Sequence, residues 1–249
     1  MDHLRISTIT MILSISEEFD LKKIYNLVPI TKYITFIEYG ADNPPKGFSK
    51  KAQRKKRKKK VKKIFYNQAT IHIFYEGKIM NVKLFNNGRI QITGLKKEYQ
   101  GVQLINDFIN YLMDLSIINN PINIINHKIV LINSDFDIGY EINREQLQNE
   151  IINNGIYSTY ETCIYPGVNI KYYINKNNFN GICPCTVPCN GKGNGDGNGL
   201  CKKVTIAVFK SGKIIITGGQ KKSQLEESYR FIKNFIEERK NTICINDQG

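Results

Sequence analysis

The sequence has no apolar run approaching the ~18 consecutive residues of a membrane-spanning helix. It has no charged leader followed by a cleavable apolar block, so an intracellular protein is expected. Histidine is scarce: His3, His72 and His127 are scattered and belong to no partner motif. There is no G-x-x-x-x-G-K-[ST], no G-x-S-x-G and no H-E-x-x-H, which removes the common phosphate-binding, acyl-transfer and zinc-protease readings. Carboxylates such as Glu17, Glu18, Glu226 and Glu227 fall at helix starts or at positions read as exposed, where capping and solubility account for them. Nothing here points to an enzyme.

Acidic residues are missing from one place in particular. Residues 50–63, KKAQRKKRKKKVKK, hold eleven basic residues and no acidic one. The whole chain has 36 basic and 22 acidic residues; without this run the balance is 36 − 11 = 25 against 22, or +3. The chain is therefore a near-neutral fold with one cationic segment. Such a run reads as a polyanion-binding arm, a nuclear-import signal or a solvated loop without a target.

What is present is a repeat. Residues 85–94, FNNGRIQITG, and 209–218, FKSGKIIITG, are identical at six of ten positions. Their Asn-Asn-Gly and Lys-Ser-Gly centres are tight-turn chemistry between β-branched flanks, so each predicts a hairpin. Downstream, Ile105, Phe108 and Leu112 match Tyr229, Ile232 and Ile236, the apolar stripe of a helix. Upstream, residues 6–13 and 129–136 are strand-like, each followed by a helix opening at Asp20 or Asn143, with Asn143 and Gln146 in capping-box spacing. Ile24 and Val28 then match Leu147 and Ile151. The fold class expected is α+β: two tandem repeats, residues 1–120 and 121–249, forming one antiparallel sheet with helices on one face. The other face is left for a ligand.

These residues resemble the TATA-box-binding protein family, in the divergent form carried by large DNA viruses. The second hairpin, Phe209-Lys210-Ser211-Gly212-Lys213-Ile214-Ile215-Ile216-Thr217-Gly218, fits the family's Phe-x-Ser-Gly-Lys-x-x-x-Thr-Gly. Tyr160-Glu161-Thr162-Cys163-Ile164-Tyr165-Pro166-Gly167 is similar to the stirrup that precedes it. The resemblance spans roughly residues 4–240 and implies a saddle whose concave sheet lies on the DNA minor groove, with aromatic wedges opening base steps. The wedges it implies are Phe65 (with Tyr66 as alternative), Phe85, Tyr165 and Phe209. Thr8, Thr10, Gln91, Thr93, Leu131, Asn133, Ile215 and Thr217 would face the groove. Arg89, Lys96, Lys171 and Lys213 would grip phosphates, joined by Lys55, Lys56, Arg57 and Lys58 of the basic run.

The resemblance also implies the partners: double-stranded DNA, a B-type transcription factor and the RNA polymerase machinery, with the chain acting as a monomer on DNA and no membrane partner. Its implied setting is a viral factory in the host cytoplasm, the host nucleus or the virion. The implied function is a transcription initiation factor that bends promoter DNA; the alternative is an architectural or interaction protein with little sequence readout. Departures favour weakened readout. Thr8 and Leu131 stand where the family has Asn, Thr10 and Asn133 where it has Val, Lys83 and Ala207 where it has Leu, and Gln220 where it has a phosphate-gripping Lys. Glu161 keeps one acidic partner position and Cys163 replaces the other.

Two insertions interrupt the repeats. The first, residues 40–63, begins with Pro and Gly, runs into the basic segment and is expected to be disordered when free. The second, residues 175–202, holds Cys183, Cys185, Cys189 and Cys201 around a glycine-rich spacer, Gly191–Gly199, read as flexible. No cofactor is required. The four cysteines are candidate ligands for a structural zinc, with free thiols and disulfides as the other readings, because C-x-C and C-x₃-C are not the common knuckle spacings.

Overall fold

Alternation sets the first strand. Ile9, Met11, Leu13 and Ile15 fall on one side of β1 (Arg5–Ile15) and are buried, while Ile12 and Ser14 stay on the other. The computed structural model describes residues 4–49 and 66–245. It divides into two compact units: residues 8–130, and residues from 131 onward together with the segment ending at Ser7. Each unit is an antiparallel sheet with helices on one face, the α+β class expected from the pattern.

In the first unit β1 leads to α1 (Leu21–Leu27), whose N-cap Asp20 accepts from the Lys23 amide at 2.8 Å. Then come β2 (Ile34–Tyr39), β3 (Lys46–Gly47), β4 (Gln68–Tyr75), β5 (Lys78–Phe85), β6 (Arg89–Leu95) and α2 (Tyr99–Asp114). The strand order is β3-β2-β4-β5-β6-β1. Leu104, Ile105, Phe108 and Leu112 of α2 are fully buried, with Ile71, Val82, Leu84, Ile90 and Ile92 of the strands. The second unit repeats the plan with β7 (Ile124–Asp137), α3 (Arg144–Asn153), β8 (Ser158–Thr159), β9 (Val168–Ile174), β10 (Lys202–Val208), β11 (Lys213–Gly219), α4 (Lys222–Glu238) and a short α5 (Lys240–Ile243). Its order is β7-β11-β10-β9-β8. Here Asn143 accepts from the Gln146 amide at 3.2 Å, one half of the anticipated capping box.

The duplication extends to individual hydrogen bonds. The Gly88 amide bonds to the Phe85 carbonyl and the Gly212 amide to the Phe209 carbonyl, both at 3.1 Å. The Gly88 carbonyl accepts from Ile15 and the Gly212 carbonyl from Ile138, again both at 3.1 Å. Both glycines have positive φ, 73° and 79°, and a Cβ on either would collide with a backbone carbonyl, of Glu17 or of Tyr140. A second matched device caps the long helices. Gln100 Oε1 accepts from the Lys96 and Lys97 amides (2.8 and 2.9 Å), and Gln224 Oε1 from the Gln220 and Lys221 amides (2.9 and 3.2 Å).

The start of the first insertion is not a free loop. Lys46–Gly47 pairs with Phe36 and Ile37 of β2. Lys46 Nζ reaches the carbonyls of Tyr25, Asn26 and Val28 at the end of α1, and Tyr25 donates its hydroxyl to the Pro44 carbonyl at 2.6 Å. A lysine at a helix C-terminus satisfies the last carbonyls and meets the negative end of the dipole, which ties this stretch down. The basic run, with Lys55, Lys56, Arg57 and Lys58, lies outside the described residues.

Candidate functional site

In both units the helices leave one sheet face uncovered among the described residues, and cross-strand register shows what lines it. On the first unit, Thr70, Lys83, Gln91 and Ile12 form one row across β4, β5, β6 and β1. His72, Asn81, Thr93 and Thr10 form the next. On the second unit the matching rows are Asn169, Ala207, Ile215 and Asp135, then Lys171, Thr205, Thr217 and Asn133. Gln91, Thr93, Asn133, Ile215 and Thr217 therefore share the uncovered face of their own units.

Polar side chains on these faces are largely paired with one another. Thr10 and Thr93 hydroxyls lie 3.3 Å apart, and Thr217 donates to the Asn133 side-chain oxygen. Lys171 donates to Thr205 Oγ1 at 3.0 Å; burial first, and the nearby Lys203 second, lower its pKa from the ordinary lysine value. Thr8 Oγ1 is buried without a partner among the described residues. Leu131 is half-buried. Arg89 and Lys213 are exposed at the starts of β6 and β11, and Lys96 is half-buried just beyond β6.

The aromatic candidates are placed by the turns. Phe85 ends β5 opposite Gln68, half-buried at the hairpin. Phe209 holds the same place before Gly212, and Tyr165 lies beside it with ring centroids 5.7 Å apart at 58°. Gly167 lets the two rings approach, since a Cβ there would sit 3.1 Å from the Tyr165 ring and 3.2 Å from the Phe209 ring. The Tyr160–Gly167 stirrup is braced by Arg144, which donates to the Pro166 carbonyl and lies over the Tyr160 ring. Phe65 lies outside the described residues; its alternative, Tyr66, is exposed, with its hydroxyl 3.5 Å from Asp42.

Three features escape a linear reading. Asp135 stands on the uncovered face of the second unit beside Ile215, held by Arg5 at 2.6 Å and by Ser7. Burial alone would raise its pKa; the hydrogen bonds from Ser7 and Arg5, with the charges of Arg5 and Lys213, outweigh that and hold it below the usual carboxylate value. Only the β7 register reveals this carboxylate, because nothing in the local sequence marks Asp135 as facing a ligand.

Glu227, read as a solvated helical carboxylate, is instead half-buried and accepts from the Tyr172 hydroxyl at 3.2 Å; burial raises its pKa. The glycine-rich spacer is likewise a correction. Gly193 and Gly195 amides donate to Cys201 and Leu200 carbonyls, the Lys203 amide to Gly191, and the Asn175 side chain to Gly197. The segment forms successive turns bonded to the strand ends, because backbone groups brought beside a sheet end must be paired.

Those turns bring the cysteines together. The sulfurs of Cys183, Cys185, Cys189 and Cys201 all lie within 4.8 Å of one another. Burial raises Cys201 to about 12; for Cys185, hydrogen bonds from Cys201 and the Gly199 amide outweigh burial and lower it to about 7. Cys163 is an exposed free thiol and Cys244 a half-buried one. No described helix is long and apolar enough to cross a membrane.

Comparisons with known proteins agree with this geometry. The family model described as transcription factor TFIID, or TATA-binding protein, matches residues 126–238. A TATA-box-binding protein-like protein of Acanthamoeba polyphaga mimivirus is 31% identical over 258 residues, covering 94% of this chain. The chain spans 65% of that relative's length. The Methanococcus jannaschii TBP structure superposes with a TM-score of 0.57 at 17% identity, covering 95% of this chain and 99% of that one, so the fold is shared. The chain is thus similar in sequence to TATA-box-binding protein-like proteins and shares the TBP fold.

Proposed function

We propose that this protein is a transcription initiation factor that binds double-stranded DNA through the uncovered sheet faces, enters the minor groove with aromatic wedges and bends promoter DNA. The family supports a DNA-binding, transcription-related and non-catalytic role. The observation that carries the finer reading is the pair of Phe-bearing hairpins, Phe85 and Phe209, built on the same turn hydrogen bonds, with Tyr165 beside Phe209. A flat apolar side chain at a surface turn can replace lost base stacking, at about a few kcal/mol per opened step. Arg89, Lys96, Lys171 and Lys213 would neutralise phosphates. A B-type factor and RNA polymerase would be recruited elsewhere on the same chain, acting as a monomer on DNA in a viral factory or the host nucleus. The reading requires no cofactor.

The test is duplex bending by fluorescence energy transfer, compared with Phe85→Ala plus Phe209→Ala. Loss of bending with folding intact is expected; unchanged bending would remove the wedge mechanism. A second reading, an architectural protein with little sequence readout, is favoured by the polar rows and by Asp135 on the uncovered face. Deleting residues 50–63 separates surface from arm. If all duplex affinity goes with the basic run, the sheet faces are not the binding surface.

A further inference from the structure

The loop between β9 and β10, residues 175–201, contains neither helix nor named strand. Its large apolar side chains do not make a core: Phe179 is 69% exposed, Leu200 49% and Val187 46%. What it buries is Asn175, Cys201 and the glycines 181, 191 and 195. A structureless loop of this length inside a compact unit needs a staple other than hydrophobic burial. The one group of side chains that converges is the four cysteines.

We propose that Cys183, Cys185, Cys189 and Cys201 form a structural zinc site that clasps this insertion onto the end of the β9–β10 pair. In a tetrahedral thiolate site with Zn–S of about 2.3 Å, the sulfurs stand about 3.8 Å apart. Here Cys185 and Cys201 Sγ are 3.3 Å apart, Cys183 and Cys201 Sγ 3.6 Å, and no pair exceeds 4.8 Å. Donors already aim at the sulfurs, as thiolate ligands require. The Gly199 amide lies 3.0 Å from Cys185 Sγ, and the Asn175 side-chain amide 3.2 Å from Cys201 Sγ. Gly199 has φ of 76°, so the turn that delivers its amide depends on glycine. A closed set of four soft ligands leaves no open position for water or substrate, which suits a structural ion.

The site would act as an anchor. Cys201 is fully buried and directly precedes Lys202, the first residue of β10, so one ligand sits where the loop enters the sheet and the other three lie within the loop. The loop it holds touches both sides of the sheet end. Gly181 lies against the Tyr172 ring, and Gly191 lies between Tyr173 and Lys203. Its Asn194 carbonyl also accepts from the capping Gln224 at 3.3 Å. Binding one Zn²⁺ displaces the four thiol protons to solvent, with no change of oxidation state.

The experiment is elemental analysis of the purified full chain, with the metal then exchanged for Co²⁺. One zinc per chain is expected, with the charge-transfer and strong visible bands of a tetrahedral tetrathiolate in the cobalt form. Cys183→Ser plus Cys201→Ser should lose the metal, and Cys163→Ser plus Cys244→Ser should retain it. If the first double variant does not fold, hydrogen exchange of the wild-type chain with and without chelator decides instead. Protection should vanish across residues 176–200 and persist in the 209–218 hairpin. A chain holding iron, a metal-free chain whose four loop thiols all react with a thiol reagent, or a disulfide in this loop would overturn the assignment.

Discussion

The two units share a backbone plan and differ in what they put on it. The turn bonds around Gly88 and Gly212 match to 0.1 Å or better, and Gln100 and Gln224 cap their helices in the same way. The matching rows on the uncovered faces have almost nothing in common. Thr70, Lys83, Gln91 and Ile12 on one unit correspond to Asn169, Ala207, Ile215 and Asp135 on the other. The family model reaches only residues 126–238. Core alternation and turn glycines are fixed by packing and backbone sterics, where a change costs stability. A face that meets only a ligand is free of that constraint and follows the ligand. The insertions widen the difference: a basic run enters one unit and a cysteine cluster the other.

The sharpest way to break the comparison is at the turns. Gly88→Val and Gly212→Val each force a Cβ into a carbonyl at positive φ and should each destabilise the chain by about 3 kcal/mol. Denaturant melts that gave clearly unequal losses would show that the two turns are not equivalent. A smaller effect should come from exchanging face residues. Lys83→Ala should reduce the slope of log affinity against log salt by about 0.9, and Ala207→Lys should restore it in the same chain. A slope unmoved by Lys83→Ala would take Lys83 off the DNA-binding face.

The smallest effect concerns Asp135, which has no charged counterpart in the first unit. Its native pKa is depressed, so its contribution to stability is full above the unfolded value of about 3.9 and is lost as pH falls through the native value. Asp135→Asn should lower the melting temperature by about 1–3 °C near neutral pH and by nothing once both states are protonated. The same variant should bind duplex DNA more tightly, since a carboxylate on that face repels phosphate.

Local chemistry made much of this legible. Asp20 and Asn143 as caps, the two hairpins, and the stripes Ile105–Phe108–Leu112 and Tyr229–Ile232–Ile236 follow from spacing, because helix and strand periods are properties of the backbone. The position of Phe85 and Phe209 followed too, since a turn fixes its own flanks. Glu227 did not, because its neighbour Tyr172 is fifty-five residues away. The ordered glycine segment did not either. Glycine and asparagine write no pattern of their own, and their partners, Ile174, Lys203 and Cys201, lie on or next to the two strands that the loop connects.

The sequence by itself determined the duplication, the elements of each repeat and the residue types available for contact. Only the tertiary structure decided which side chains share a face and which sulfurs lie together. Strand register and loop return bring together residues that are distant in the chain, and the hydrogen bonds that set them join groups no local window contains. Asp135 became a face residue through its pairing with Ile215, and the four cysteines became a cluster through the folding of the glycine turns.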